Sequence, residues 1–505
     1  MALLHYILFV LLISALVYAT RSSRKPQGIK DLPGPQGLPY AGVPHKVPPK
    51  RTWLKFHEWS KIYGPIYKLK IMGEDLVVVS DLKILEELLV KRKANYSSRP
   101  EYPAIPGANH DMRYLPLLSH GDHHGRARRF AHHLLAKLPQ DRLVDVTTRA
   151  TKDYIQALLQ DPCNAKALTE LYASRITCEI SWGNPTVAQK NVETAWALMH
   201  HVSPGATPLS KLPFLSLAWD LLPDFLQPWK VNELARRASE REFWLTEQEK
   251  ARYANNDSFT LTRETYKQRD KGISDEEEAA NSVGMLTVIG SLLLATPVQS
   301  FLIAMCHHPE WQVKGAEELD RVCPGRLPTP SDLKDLPVLR AIIRETHRWR
   351  PPIPIGAPHA SEQDDVYNGY FIPKKSSVLA LAWTIERDES VFPDPDSFRP
   401  ERWLEPTWPT YKEPLTIYPQ IKGHHGFGWG NRMCLGQDFV EIVNMIMIGS
   451  LLACCSVAKK RDPLTGGEIE IDTMDYEPFT IFVRPYAWEM EAKPRSEGLL
   501  KSLDL

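Results

Sequence analysis

An excess of charge of either sign is missing from this 505-residue chain: Lys plus Arg and Asp plus Glu number 61 each, and the formal net charge is zero. A balanced chain carries no broad field suited to a polyanion, which argues against nucleic acid as the main partner. Cysteine is also scarce. The seven, at 163, 178, 306, 323, 434, 454 and 455, are odd in number and contain no C-x-x-C pair, so neither a disulfide framework nor a zinc ribbon is indicated. Their scatter suits a reducing compartment for the body of the chain. Internal repeats, low-complexity tracts and flavin or nicotinamide motifs are lacking as well. What is present, 43% hydrophobic residues, supports a large folded core.

Ala2 to Ala19 is an uncharged apolar run interrupted only by His5, Tyr6, Ser14 and Tyr18, with Arg21, Arg24 and Lys25 directly after it. Such a run can span a bilayer, and its basic flank sets the rest of the chain on the cytoplasmic side. The rival reading is a cleaved signal peptide ending near Val17-Tyr18-Ala19. The lack of charge ahead of the run and the scattered cysteines favour an anchor. The chain is therefore divided into a membrane anchor over 1–20, a basic and Pro-rich linker over 21–45, one large globular domain over 46–495 and a tail over 496–505. Leu32-Pro33-Gly34-Pro35-Gln36-Gly37-Leu38-Pro39 is too rich in Pro and Gly for helix or central strand and reads as a stiff hinge.

Within the globular part, Ile66 to Leu69 and Asp75 to Val79 read as paired strands and Leu82 to Lys91 as a helix. Most of residues 140 to 325 reads helical, broken around Ser203 to Pro213. Ser274 and Glu277 form a capping box ahead of Val283 to Cys306, which is uncharged throughout. By length this run could be a second membrane span. Its His307-His308-Pro309-Glu310 exit and the polar, helix-compatible continuation to Val322 favour a long buried helix. Leu336 to Trp349 is a helix ended by Pro351-Pro352, Asn368-Gly369 signals a hairpin, and Phe439 to Leu452 is an apolar helix. The expected fold class is mainly α with small β-sheets. Five adjacent His-His pairs (123/124, 132/133, 200/201, 307/308, 424/425) are a weak metal signal, because neighbours on a helix diverge by about 100°. A site at His120 and His124, which share a helix face, is the alternative.

The densest chemistry lies in His425-Gly426-Phe427-Gly428-Trp429-Gly430-Asn431-Arg432-Met433-Cys434-Leu435-Gly436. A lone cysteine flanked by glycines and followed by a helix suits a thiolate metal ligand. Gly428, Gly430 and Gly436 let backbone N–H groups turn toward the sulfur, and the helix start adds positive potential that lowers the thiol pKa. Phe427 would shield the sulfur, and Arg432 could reach a carboxylate at the edge of a bound macrocycle. The pattern Phe-x-x-Gly-x-Arg-x-Cys-x-Gly resembles the haem-binding signature of the cytochrome P450 enzymes, and the proline-rich hinge, the His-Pro-Glu exit and the Pro-His-x-x-x-x-x-Asp segment from Pro358 most resemble fungal microsomal members, often tied to secondary metabolism. The resemblance implies the cytochrome P450 fold, haem b bound through Cys434, and a thiolate that favours O–O cleavage.

The same resemblance assigns further roles. The tryptophan of the family's Trp-x-x-x-Arg, which meets a haem propionate, is replaced by His124, with Arg128 four residues on; His359 would meet a propionate too. Arg126 and Arg129 would form a basic patch for a reductase, or simply a solvated face. Glu345 and Arg348, with Arg402 downstream, would form a buried charge network locking the loop that leads to Cys434. On the distal side, Ile289-Gly290-Ser291-Leu292-Leu293 aligns with the family's Ala/Gly-Gly-x-Asp/Glu-Thr, so leucines replace the acid and the alcohol that deliver protons to dioxygen. Gly290 would leave space over the iron. Pro297, lacking an N–H, deprives the Leu293 carbonyl of its helix partner and should kink the helix. Ile289, Leu292, Leu293, Ile353, Ile355, Phe479 and the stretches Tyr102 to Tyr114, Ile353 to Pro358 and Tyr476 to Phe482 would line an apolar pocket for a small hydrophobic substrate. The implied activity is monooxygenation, with electrons from NADPH through a separate NADPH-cytochrome P450 reductase, at the endoplasmic reticulum membrane through a single span in contact with membrane lipid. Two alternatives stay open: the same fold performing oxidative coupling, ring closure or rearrangement without oxygen insertion, and a non-enzymatic haem or ligand-binding protein.

Overall fold

The computed structural model describes residues 2–19, 25–111, 113–203, 205–207, 211–212, 221–255, 258–267, 275–478 and 481–503. One helix organises the body. Glu276–His307 runs 32 residues, and its apolar side chains are buried on almost every side. A helix apolar all round needs neighbours all round. Ala165–Trp182, Ala188–Val202, Pro228–Tyr253, Pro337–Trp349 and Gln437–Cys454 provide them. The long apolar run is thus a core helix within the protein. Gly284 is required here: a Cβ would lie 2.2 Å from the Trp244 ring, so this glycine permits the close crossing with Pro228–Tyr253. Buried polar contacts fix the register. Thr287 Oγ1 donates to Ser181 Oγ at 2.6 Å, and Asn191 Nδ2 donates to Ser291 Oγ at 3.2 Å and Ser174 Oγ at 3.0 Å.

Small sheets sit to one side. Ile66–Ile71 pairs antiparallel with Glu74–Val79, which pairs in parallel with Ser377–Ala380, and His359–Ala360 completes four strands. The hairpin Asp365–Tyr367 with Tyr370–Ile372 turns at Asn368 and Gly369, φ 48° and 79°, the left-handed pair that Asn-Gly favours. Lys30–Asp31 extends that sheet, and Cys455–Lys459 pairs with Met490–Pro494 near the C-terminus. The fold is mostly helical with small sheets.

Two local readings need correction. Ser274 lies outside the described residues; the helix cap is Asp275, whose carboxylate accepts the Glu278 N–H at 2.8 Å, while Glu277 pairs outward with Arg241. The Leu82 to Lys91 helix is α only over Leu82–Leu85 and continues as a π-helix over Glu86–Lys91. The central helix continues through Pro297, which lies buried inside it. At the N-terminus Ala2–Ala19 is helical and leaves Leu8, Phe9, Leu12, Ile13 and Leu16 exposed, while Tyr6 Oη donates to Leu221 O at 3.1 Å. Of the Ser203 to Pro213 break, residues 204, 208–210 and 213 lie outside the described residues.

Candidate functional site

Cys434 sits just ahead of the Gln437–Cys454 helix, half-buried, at the end of a loop pinned at both sides. Its N–H donates to Phe427 O at 2.7 Å, and the Gly436 N–H donates to its Sγ at 3.3 Å. Gly428 and Gly430 adopt φ 86° and 51°; Gly436, at φ −93°, does not need a glycine's left-handed freedom. A Cβ on Gly430 would lie 2.3 Å from Leu89 O, so this glycine lets the loop press against the π-helical turn. Burial pushes the free thiol up, against the expected lowering, while the Gly436 N–H and Arg128 pull it down. A bound cation is what would tip this sulfur to thiolate.

Beside the loop lies a concentration of buried and half-buried cations. Arg432 donates from Nε to Ser97 O at 2.6 Å and from Nη2 to Leu118 O. Arg128 donates to Met433 O, and Arg99 donates to Pro116 O at 2.9 Å and to Pro358 O. His359 uses Nδ1 on Tyr96 O at 2.8 Å, leaving Nε2 available. Burial, then Arg99 and Arg128, depress Arg432 to about 8; burial and the arginines hold His124 and His359 near 3, both neutral. The carboxylate of Glu362 offsets this only weakly. Among the described residues none of the three arginines has a carboxylate within ion-pairing reach, and backbone carbonyls take their hydrogen bonds. Clustered, half-desolvated cations without counter-charge are costly, and a bound dicarboxylate would relieve that cost. The residues present therefore fit haem, sulfur on one side and propionate receptors at the edge. Arg99 is the member sequence reasoning missed, although its Arg-Pro context and its place ahead of the Tyr102 to Tyr114 stretch are visible in the sequence. Arg126 instead donates to Glu278 at 3.3 Å, so of the supposed basic patch Arg129 is the exposed member.

The central helix shows one interrupted stripe. Leu286, Ile289, Gly290 and Leu293, spaced i, i+3, i+4, i+7, are only half-buried in a helix whose other faces are packed. None of them carries a side-chain donor or acceptor. The assignment of four distal residues is corrected in one respect. Leu292 is 2% exposed and belongs to the main core, so Leu293 alone of the two leucines borders the stripe. A Cβ on Gly290 would meet Thr177 Cγ2 at 3.2 Å, so the missing side chain also eases packing against Ala165–Trp182. Pro297 falls on the same stripe as Leu293, and the Leu293 carbonyl loses its i+4 donor there.

Glu345, Arg348 and Arg402 meet, all at 0% exposure. Arg348 donates to the Glu345 carboxylate at 2.8 and 2.7 Å, Arg402 at 3.1 Å, and Trp403 Nε1 and the Arg399 N–H at 2.9 Å each. The remaining donors of Arg348 go to the carbonyls of Glu386, Pro395 and Ser397, and those of Arg402 to Pro393, Asp394 and Ser397. Among the described residues, these hydrogen bonds end on segment 386–403 and do not touch the Cys434 loop itself.

An apolar-lined cavity of about 420 Å³ opens between the sheet and the helical part, with Tyr102, Val202, Ile355, Pro358, Leu379 and Ile481 on its wall. Ile355 is thus on a cavity. Ile353 packs against the main core and Ile289 lies on the stripe. Phe479 lies outside the described residues. Tyr114 does not line the cavity: it is fully buried and donates to Glu240 Oε1 at 2.9 Å. The His120 and His124 rings are 6.4 Å apart and form no ligand cluster.

A sequence model of the family described as Cytochrome P450 matches residues 32–467. Similar curated proteins include cytochrome P450 monooxygenase virE of Hypocrea virens, 29% identical over 92% of this chain and 86% of the relative. Cytochrome P450 monooxygenase fogE of Aspergillus ruber is 29% identical over 97% and 91% respectively. Among solved structures, a zebrafish cytochrome P450 with abiraterone superposes with a TM-score of 0.67 at 19% identity, covering 88% of this chain and all of that one.

Proposed function

The chain belongs to the cytochrome P450 family and is an oxidoreductase of that class, and from that premise we propose that it is a membrane-anchored haem-thiolate monooxygenase acting on a hydrophobic organic substrate in fungal secondary metabolism. NADPH supplies its electrons through a separate reductase, which exposed Arg129 would help to dock. The observation that carries the reading is the Cys434 sulfur with its Gly436 N–H, set beside three arginines that have no carboxylate in ion-pairing reach among the described residues. Haem held by the Cys434 thiolate would supply the redox chemistry that activates dioxygen. Arg99, Arg128, Arg432 and His359 would receive its propionates and so hold it in the site. Leu286, Ile289 and Leu293 exclude water from the distal side and offer apolar contact to substrate. The Leu293 carbonyl, freed by Pro297, is the acceptor that can hold a water or a substrate hydroxyl there. The exposed side chains of Ala2–Ala19 support insertion in the endoplasmic reticulum membrane as a single span.

In the second reading, coupling, ring closure or rearrangement without oxygen insertion, one observation favours rearrangement above all: the stripe lacks any hydroxyl or carboxyl to carry a proton, and coupling still consumes oxidant and needs protons. Incubation with a reductase, NADPH, labelled dioxygen and a library of terpenoids, polyketides and alkaloids distinguishes the two. Monooxygenation puts one labelled oxygen atom into product. A product formed with no label refutes it and leaves the second reading.

A further inference from the structure

Glu386 follows the short helix Ala382–Ile385 and its carboxylate is completely buried. Its Oε1 lies 2.6 Å from His424 Nε2 and 2.8 Å from His425 Nε2, and the two rings are 4.2 Å apart. One carboxylate and two imidazoles so close resemble a metal triad. The distances decide against it. Ligand atoms at about 2.0–2.2 Å from a tetrahedral zinc stand about 3.4 Å from one another, whereas the 2.6 and 2.8 Å contacts here are close charge contacts, too short for two atoms bound to one ion and without the alignment of a hydrogen bond. The tautomer agrees. The Gly426 N–H donates to His424 Nδ1 at 3.1 Å, so the neutral ring carries its hydrogen on Nε2, facing the carboxylate. Burial and Arg344 keep His424 neutral.

The position of Glu386 is as informative as its partners. Its carbonyl accepts from Arg348 Nη1 at 3.0 Å, so the backbone of this residue belongs to the Glu345 network. Its side chain reaches the 3₁₀ turn His425–Phe427, and Phe427 O at the end of that turn accepts the Cys434 N–H. The hydrogen bonds of Glu345, Arg348 and Arg402 stop at segment 386–403. Glu386 bridges from there to the sulfur loop.

We propose that Glu386 is the positioning residue that couples the buried Glu345–Arg348–Arg402 network to the Cys434 loop, through His424 and His425. The inference rests on Cys434 being the haem ligand. Its test compares purified full-length wild type with Glu386→Gln, His424→Asn and the double variant. The readouts are haem bound per chain and the fraction of the reduced carbon monoxide complex with a thiolate-type Soret band. Gln keeps the size of Glu386 and removes its charge. Asn keeps an acceptor for the Gly426 N–H and cannot reach Glu386. Each single variant is expected to shift the ratio of thiolate-type to thiol-type complex by at least about fivefold, about 1 kcal/mol at 1.36 kcal/mol per tenfold. The double variant is expected to be no worse than the worse single one, because both break the same tie. Wild-type ratios in both singles, or additive losses in the double, overturn the coupling. If Glu386→Gln yields no folded protein, His424→Asn alone decides: a shifted ratio supports the proposal and a wild-type ratio overturns it. A wild type without any thiolate band overturns the haem-thiolate reading and, with it, the inference.

Discussion

Replacing Glu345 with Gln is a conservative change with a severe expected cost. The carboxylate is fully buried and accepts from five donors: Arg348 Nε and Nη2, Arg402 Nε, Trp403 Nε1 and the Arg399 N–H. Gln offers one acceptor oxygen in place of two and turns an NH₂ toward two guanidinium groups that can only donate. It also leaves two buried cations, Arg348 and Arg402, without their counter-charge. Breaking a buried ion network in this way costs about 3–5 kcal/mol, which raises the population of locally opened forms by about a hundredfold to several thousandfold. Haem released through such opening would be lost at a correspondingly higher rate. The assay is haem transfer from purified protein to an excess of an apo-haemoprotein acceptor, followed spectroscopically, with the stability of the chain measured by denaturant titration in parallel. Arg399→Ala is the control. It keeps the backbone N–H that Glu345 accepts and removes only a side chain that is 41% exposed, worth at most about 1 kcal/mol. A Glu345→Gln protein that loses haem no faster than the Arg399→Ala control would refute the reasoning that this network stabilises the haem-binding region.

Changes at the two distal leucines should separate sharply. Leu292→Asp buries a carboxylate in the main core, costing several kcal/mol, and should abolish soluble haem-loaded protein; Leu293→Thr, on the half-buried stripe, should leave haem content unchanged and alter product yield per NADPH consumed. His347 is held neutral at about 4 by burial, against 6.5 unfolded, so its contribution to stability is complete above pH 6.5 and falls through pH 4 by a total of about 3 kcal/mol. His347→Gln should therefore flatten the acid limb of a stability–pH profile by up to about 1.4 kcal/mol per pH unit, and an unchanged limb counts against a neutral native His347. Deleting residues 2–19 should move the protein from the carbonate-washed membrane pellet toward the soluble fraction with its carbon monoxide spectrum intact; full retention in the pellet would require another membrane contact.

The helices and the hairpin were legible because their signals are local: apolar periodicity for Pro337–Trp349 and Gln437–Cys454, Asn-Gly for the turn at Asn368. The long uncharged run was readable as helix, but its burial depended on the polar exit at His307 to Glu310. The Phe427 to Gly436 motif marked the sulfur loop because its spacing is specific. What could not be read were relations across the chain. Arg99 joins the cation cluster only because its segment folds back onto the Pro358 and Pro116 carbonyls. The orientation of Gly290 and Leu292 depends on which face of a wholly apolar helix meets Ala165–Trp182, and such a helix has no polar face to reveal it. His424 and His425 were set aside by a rule for helical neighbours. They lie instead at an extended residue leading into a 3₁₀ turn, where both rings converge on Glu386.

The central claim, that Cys434 is the thiolate ligand of a bound haem, is tested most directly by the reduced carbon monoxide difference spectrum of the purified full-length chain beside Cys434→Ser. The account predicts stoichiometric haem with a thiolate-type Soret band in the wild type, and loss of that band in the variant. A thiolate-type band that survives the substitution, or a haem-loaded wild type without one, would contradict it.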